Sequence, residues 1–263
     1  MTTQAIEARV NPAVAVRNTA TLAWRTLVQI KHNPFELIDF SIQPIMFLVL
    51  FTYVFGGAIA GSTTEYLAFG LPGIIVQNLL FATMNTGVGL NTDITKGVFD
   101  RLRSLPISRF SPLAGRILAD VIKQAWAVFI LLVVGAILGF RIGTGPLEVV
   151  AAFGLLLLFG FAASWMSVLV AMLVSAPEKV QIFGFTLLFP LTFASNAFAP
   201  TSTMPGWLQA WVKVNPVTLL ADATRGLLTG GAVGGPVVRS LIWAAILLVI
   251  FAPLSVWAFR RRT

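Results

Sequence analysis

The amino-acid sequence predicts an all-α protein that crosses a membrane six times. Hydrophobic residues make up 57% of the chain, charged residues only 11%, and the mean hydropathy is +0.88. Several apolar runs reach the roughly 20 residues that a helix needs to cross hydrocarbon. A transmembrane β-barrel would instead alternate polar and apolar residues over segments of about ten residues, a pattern that this sequence lacks. Residues 1–263 are therefore predicted to form a single transmembrane domain.

Charge and composition exclude several classes of function. The formal net charge is +8 and there is no cysteine. The basic residues flank apolar runs rather than forming one soluble face, which favours membrane topology over nucleic-acid binding. The absence of cysteine rules out disulfides, a catalytic thiolate and cysteine metal ligands. The one histidine, His32, has no His or Cys companion, so we predict no metal and no catalytic residue.

The first 33 residues are predicted to form a cytosolic tail and a helix in the membrane interface. Residues 1–10 are typical of a disordered tail, and Asn11 followed by Pro12 opens a helix. Its polar and basic residues oppose an apolar face, a pattern typical of helices that lie along a membrane surface. That face consists of Val16, Ala20, Ala23, Trp24, Leu27 and Ile30.

Residues 34–263 are predicted to form the six-span bundle. Asn33 and Pro34 restart the helix as its cap and first residue. A loop at 57–65, a turn at 141–146 and a reversal at Pro177–Lys179 separate spans, and Pro190 is expected to kink the fifth. The spans are predicted at 37–56, 73–91, 118–140, 149–174, 180–199 and 238–259.

The segment 200–236, between the fifth and sixth spans, is too patterned to be a bare loop. Residues 205–211 carry two tryptophans and predict a short interfacial helix. Asn215 and Pro216 cap a second helix, which runs to about residue 228 and ends before Gly230. Both helices are expected to be half-inserted into the membrane from its outer side.

Basic residues also predict the orientation of the chain. With both termini in the cytosol, the inner segments hold 14 of the 18 Lys and Arg residues. The positive-inside rule favours this orientation. Six of the 18 lie between Lys96 and Lys123, so the segment between the second and third spans is cytosolic in this topology.

This central loop, residues 93–116, is predicted to contain a short amphipathic helix that a cytosolic partner could push. Pro106 ends the helix, because the residue before a proline is disfavoured in the helical region. The alternative is that the loop supplies only the positive charge that keeps it on the cytosolic side of the membrane. Apolar residues recur at helical spacing at Val98, Phe99, Leu102 and Leu105. The other side carries Asp100, Arg101 and Arg103.

Three rows of residues on the spans are candidates for a substrate route. Asn78, Asn85 and Thr92 recur every seven residues, so they share one side of the second span. They line a route or hydrogen-bond a neighbouring helix. The two aromatic rows either pack against other helices or face lipid, or they contact a transported compound. The aromatic rows are Phe47, Phe51 and Phe55 on the first span and Phe185, Phe189 and Phe193 on the fifth.

The sequence carries no energy source for transport of its own. It lacks the GxxxxGK[ST] pattern that cradles nucleotide phosphates, so the chain is not predicted to be an ATPase. No charged residue lies clearly in the middle of a span, and such residues usually mark ion or proton routes. We therefore expect a transported compound to be moved with energy supplied by another subunit.

These features together resemble the ABC-2 type permeases, the membrane subunits of ABC exporters, and in particular those of the daunorubicin-resistance kind. The resemblance covers essentially the whole chain. It depends on the six spans, on Pro72 and Gly73, and on the central-loop run GVFDRLRSLPISR at 97–109. Outside the loop it includes the run NPVT at 215–218, with Asp222 and Arg225.

The resemblance implies an exporter in a bacterial plasma membrane that carries a hydrophobic or amphipathic, drug-like compound. It implies two permease subunits, identical or different, and two cytosolic ATPase subunits that bind ATP and magnesium. The central loop, the N-terminal helix and the turn with Glu178 and Lys179 would then face the ATPases. A lipid or glycolipid exporter is the alternative within the family. A secondary transporter and a non-transporting membrane anchor are alternatives of other classes.

Overall fold

Residues 12–32, 35–98 and 111–262 are described by the computed structural model, and their regular structure is entirely helical. A π-helical turn, Phe51–Phe55, joins the second and third α-helices, and a 3-10 turn, Thr201–Thr203, precedes the eighth. The α-helices are α1 (Pro12–His32), α2 (Phe35–Leu50), α3 (Gly56–Ala60), α4 (Thr63–Thr95), α5 (Ser111–Ile137), α6 (Pro146–Leu173), α7 (Pro177–Phe193), α8 (Gly206–Val212), α9 (Pro216–Thr229) and α10 (Gly234–Arg262).

Five helical segments of the described chain are long and apolar enough to cross a membrane. The all-helical membrane class predicted from the sequence is therefore confirmed. The helix α7, which corresponds to the predicted fifth span, has 17 residues and is not among the five. The five segments are Ser41–Ala60, Thr63–Thr95, Ser111–Ile137, Pro146–Leu173 and Gly234–Phe259.

Helix α4 is the centre of the bundle. It packs against α5, α6, α7 and α9, and its buried residues extend from Tyr66 to Asn91. The helix extends beyond the predicted second span, 73–91, since α4 begins ten residues earlier. The Ser62 hydroxyl accepts a hydrogen bond of 3.2 Å from the Glu65 N–H, which is the cap expected of a Ser-x-x-Glu sequence.

The predicted loop at 57–65 is also mostly helical. The first span does not stop at Gly56, as predicted, but continues through the π-helical turn and α3 to Ala60. It ends there because Gly61 adopts a φ of 78°, in the left-handed region that glycine enters without steric penalty. The connection to α4 is therefore only two residues long.

Helix α7 and the segment after it run antiparallel to α4. At one end Val180 lies beside Gly87, and at the other Ala197 lies beside Gly73. The predicted fifth span extended as a helix to residue 199, but α7 ends at Phe193. Its final carbonyls are bound from outside, since the Asn215 amide donates to Leu191 O and Ala194 O at 2.8 Å. These hydrogen bonds satisfy the carbonyls that a further helical turn would otherwise have bonded.

The helices predicted on either side of the bundle are present. Helix α1 packs along α5, where Gly115 allows the backbone of Thr19 to approach closely. Helices α8 and α9 match the two short outer helices; Trp207 of α8 is exposed, whereas α9 packs against α4, α6 and α10. The seating of α1, α8 and α9 in a membrane interface stays a prediction.

Gly73 is expected to be required for the contact between α4 and the segment after α7. A Cβ atom there would overlap the backbone of Ala197, which cannot move as a flexible side chain can. We expect Gly73→Ala to destabilise the protein by about 1–3 kcal/mol, as overpacking does. The matched control is Gly154→Ala in α6, where nothing lies within 4 Å. Thermal unfolding in detergent compares the two; equal midpoints would contradict the close approach.

Candidate functional site

A groove of about 830 Å³ lies between α2, α4, α5 and α7. This volume is within the range of pockets that hold drug-sized molecules. Apolar side chains such as Leu79, Met84 and Leu131 alternate in its lining with carboxamides. The carboxamides are Gln43, Gln77, Asn78, Asn85, Gln124 and Gln181.

Two asparagines of the row predicted on the second span line this groove. The Asn78 amide donates to Ile74 O at 2.9 Å, within its own helix, and Asn85 is exposed. Thr92, the third member, also bonds within α4, to Val88 O at 2.8 Å. Asn78 and Asn85 thus face the groove whereas Thr92 does not line it, and the hydrogen bonds of Asn78 and Thr92 do not reach a neighbouring helix.

The two aromatic rows predicted from the sequence form one continuous chain of rings. Phe51 and Phe193 both pack on Phe198, with centroids 4.8 and 4.9 Å away. At the other end Phe185 meets Phe81 edge-on at 5.5 Å, and both line the groove. The ring chain runs through Phe47, Phe51, Phe198, Phe193, Phe189, Phe185 and Phe81, with Phe55 beside Phe51.

Phe198 and Phe81 were missed by the sequence analysis. Neither belongs to a row at helical spacing, and only the antiparallel packing of α7 on α4 brings them to the other rings. The chain of rings leads from the groove to the far end of α4, where the Tyr66 hydroxyl donates to Phe198 O at 3.2 Å.

An ion network adjoins the groove, whose lining includes Arg116, Asp120 and Lys123. Arg116 bonds Asp93 at 3.3 Å and Asp120 at 3.2 Å, and Lys123 lies 3.6 Å from Asp120. Asp93 and Arg116 are the first and last residues of the central loop. Arg116 also lies against Gly89, where any side chain would collide with it.

The position of this network corrects the expectation that the spans carry no internal charge. Asp120 and Lys123 are buried within α5, a candidate span, and both line the groove. The predicted third span began at residue 118, which left these two residues at its edge. The helix starts at Ser111 instead, and mutual pairing offsets part of the cost of removing the charges from water.

A family model for the ABC-2 type transporter matches residues 17–229. That match includes the groove, the ring chain and the ion network. The chain belongs to the ABC-2 type transporter family. Known relatives cover most of its length.

The permease is similar to proteins named for drug resistance. It is 44% identical over 250 residues, 95% of this chain and 88% of the relative, to a daunorubicin resistance ABC transporter permease protein, DrrB1, of Streptomyces coeruleorubidus. It is 28% identical over 90% of its length, and 86% of the relative, to a probable doxorubicin resistance ABC transporter permease protein, DrrC, of Mycobacterium tuberculosis. A putative transport permease, ycf38, of Cyanophora paradoxa is 31% identical over 81% of this chain and 74% of the relative.

A second polar cluster joins α4, α9 and the segment after α7 at the other end of the permease. Arg225 donates to Asp222 at 2.6 Å and to Phe69 O at 3.1 Å, and its guanidinium lies 4.1 Å from the Phe69 ring centroid. The Asn196 amide also bonds Asp222, at 2.8 Å. Burial lowers the pKa of Arg225, whereas the Asp222 charge raises it.

The predicted ATPase-coupling residues of the permease are only partly within the described structure. Val98 is its last residue before the gap, and Phe99, Asp100, Arg101, Leu102 and Arg103 lie outside the described residues. Glu178 and Lys179 are exposed in the first turn of α7. The turn before them is held to the end of α4, because Asn91 donates to Ala171 O and Val174 O.

The ion network is expected to contribute to folding. Asp120→Asn keeps the shape of the side chain but leaves Arg116 and Lys123 together without the carboxylate between them. We expect a loss of about 2–3 kcal/mol, less than for a fully buried pair because Arg116 and Asp93 are partly exposed. Glu148→Gln, at an exposed acid of α6, is the control. Equal unfolding midpoints for both variants in detergent would show that the network adds little stability.

Proposed function

We propose that this chain is the membrane-spanning permease subunit of an ATP-driven exporter for a hydrophobic or amphipathic, drug-like compound. The observation that carries the proposal is the ring chain, because it connects the groove with the other end of the bundle through apolar surface without charge. Aromatic rings offer large contact area to an amphipathic compound. The names of the Streptomyces and Mycobacterium relatives support a drug-like compound over a lipid.

We infer six spans, with α7 and the segment after it as the fifth. This stretch lies beside α4 from Gly87 to Tyr66, a distance of about 30 Å along a helix. That is the thickness of the hydrocarbon core. Its helix ends early, but the buried Asn215 and Ser195 satisfy the carbonyls that the missing turn leaves free.

In this topology both termini and the central loop are in the cytosol of a bacterial cell, beneath the plasma membrane. Two cytosolic ATPase subunits bind ATP and magnesium, since the chain has no phosphate-binding loop of its own. A second permease subunit, identical or related, faces the ring chain. Support for that placement comes from α7, whose Phe185 and Phe189 are 51% and 43% exposed in the single chain.

The ion network suggests how the ATPases act on the groove. Asp93 and Arg116 flank the central loop and are paired with each other. Arg116 also pairs with Asp120, which lines the groove. A displacement of the loop by an ATPase therefore moves both ends of this network. Packed elements shift between discrete arrangements rather than deforming gradually.

Removal of two rings from the chain is expected to change which compounds are exported. Phe51→Ala with Phe189→Ala leaves the groove intact but interrupts the aromatic surface at two places. Two lost aromatic contacts should change the half-maximal concentration of an exported aromatic dye about tenfold. The control is Phe183→Ala on the same helix, exposed but outside the ring chain. Transport of the dye by inside-out vesicles measures this concentration. An unaltered export profile with intact complexes would mean that the rings serve only in packing.

Phe99 is expected to couple ATP hydrolysis to export. A buried aromatic residue commonly contributes about 2 kcal/mol or more to an interface, and Phe99 is the largest apolar residue of the predicted loop helix. Phe99→Ala and Arg101→Glu should therefore lower export per ATP hydrolysed while the protein still inserts. Arg101→Lys keeps the charge and serves as the control. Export and the amount of ATPase subunit recovered with the permease are measured on the same membranes. Normal values of both for Phe99→Ala would mean that the loop contributes only positive charge to the membrane topology.

A further inference from the structure

Three positive charges from three helices converge on Asp93, at the end of α4. Arg116 of α5 pairs with the Asp93 carboxylate at 3.3 Å. The charges of Arg25 in α1 and of Lys96, the C-cap residue of α4, also act on that carboxylate. Arg25 and Lys96 are exposed, and the ion pairs among the described residues include neither of them. Both can therefore bind an anion from outside the protein.

The cluster around Asp93 is positive as a whole. Asp120 and Lys123 complete the ion network, so the described residues contribute four cations and two carboxylates, a net charge of +2. Arg116 is also within reach of a ligand, since 20% of its side chain is exposed. An arginine has five N–H donors, of which the two carboxylates use one at Nε and one at Nη1. An anion beside Asp93 can thus share the guanidinium.

Helix α1 carries an apolar row and a polar row side by side on its exposed surface. The members of each row are four residues apart, so each row follows one side of the helix. A third side contacts the bundle, where Gly115 of α5 meets Leu22 and Ala23. The apolar row is Val16, Ala20 and Trp24, and the polar row is Arg17, Thr21 and Arg25. Arg25 is thereby held beside Arg116, which follows Gly115 in the chain.

Trp24 indicates the depth of this cluster in the membrane. Its side chain is 67% exposed, and tryptophan prefers the level of the lipid headgroups. Arg25 is the next residue, so in the proposed topology its guanidinium lies among the headgroups of the cytosolic leaflet. That leaflet contains anionic lipids, and basic pockets between helices on this side of a membrane bind anionic headgroups.

The general excess of positive charge on the cytosolic side does not explain the convergence. Topology depends on how many Lys and Arg residues the loops carry, and not on whether residues of separate helices meet. Here α1, the end of α4 and α5 each supply one cation to the same place. A phospholipid is the anion that also has chains to cover the apolar row of α1.

We propose that Arg25, Lys96 and Arg116 bind the phosphate of an anionic phospholipid, whose acyl chains lie along the apolar row of α1. The site goes beyond the proposed function, because this lipid is a resident ligand and not the exported compound. The proposed topology is used only to name the cytosolic leaflet. Arg116 also lines the groove, so the bound headgroup lies beside the groove and joins α1 to both flanks of the central loop.

The test compares two lipids with identical chains on the full-length permease in detergent. Dioleoylphosphatidylglycerol has a net negative charge, whereas dioleoylphosphatidylcholine has none. Native mass spectrometry titrates the lipid that the protein retains, and thermal unfolding measures the stability that it adds. We expect the anionic lipid to bind at least about fivefold more tightly and to raise the unfolding midpoint more than the neutral lipid does.

Variants at the two exposed cations locate the site without disturbing the ion network. Arg25→Gln with Lys96→Gln should weaken binding of the anionic lipid about thirtyfold, or about fivefold for each charge removed. Arg25→Lys with Lys96→Arg keeps both charges and should restore the binding. The matched control is Arg141→Gln with Arg239→Gln, which removes two exposed arginines at the other end of the bundle and should bind the lipid as the unaltered protein does.

Three outcomes would overturn the proposal. Equal binding of the two lipids would mean that the chains alone hold them. Equal weakening in the control variant would mean that the net charge of the protein attracts the lipid, without a site. Displacement of the lipid by an equal concentration of glycerol phosphate would mean that the ligand is a soluble phosphate. Neither ATP nor an exported compound is present, so lipid binding and export can fail independently.

Discussion

Polar groups within a membrane must find their partners inside the protein, and the architecture of this permease depends on that constraint. Asn91 bonds the last carbonyls of α6, and Asn215 bonds those of α7. The Ser255 hydroxyl binds Trp165 O between α10 and α6. Each of these buried side chains allows a helix to end or to approach another inside the packed part of the fold. The buried asparagines therefore determine where the helices stop as much as the apolar runs determine where they lie.

Each end of the bundle holds a cluster of charged and polar side chains. Arg225, Asp222 and Asn196 bond one another and tie α9 to α4 and to the segment after α7. At the other end, Arg116 pairs with both Asp93 of α4 and Asp120 of α5, of which only Asp120 lines the groove. The first cluster joins three packed segments, whereas the second connects the two flanks of the central loop with the lining of the groove. Under the proposed function, a displacement of the central loop would reach the groove through Arg116 before it reaches the opposite cluster.

The sequence could predict the helical class, the approximate spans and the two aromatic rows, because these depend on hydropathy and local period. It could not predict where α4 begins, although Ser62 and Glu65 carried the signal of a cap. Nor could it join the rows through Phe198 or place Asp120 in a cavity, since both depend on how α7 and α5 pack against α4. The groove itself is a property of four helices together. Local patterns could identify some of its residues, such as Asn78 and Asn85, but could not predict its shape.

If the ring chain is the transport route, as proposed above, it has a consequence for the energetics of transport. Its neighbouring rings are of one chemical kind and lie 4.3–5.5 Å apart, so a compound that moves from one to the next exchanges one contact for a similar one. Such a path has a nearly level free-energy profile, without a deep well to trap the cargo and without a slope to drive it. Direction must then be imposed from outside the path, by closing it behind the cargo. The rings would then provide passage, whereas the direction of transport would depend on other parts of the complex.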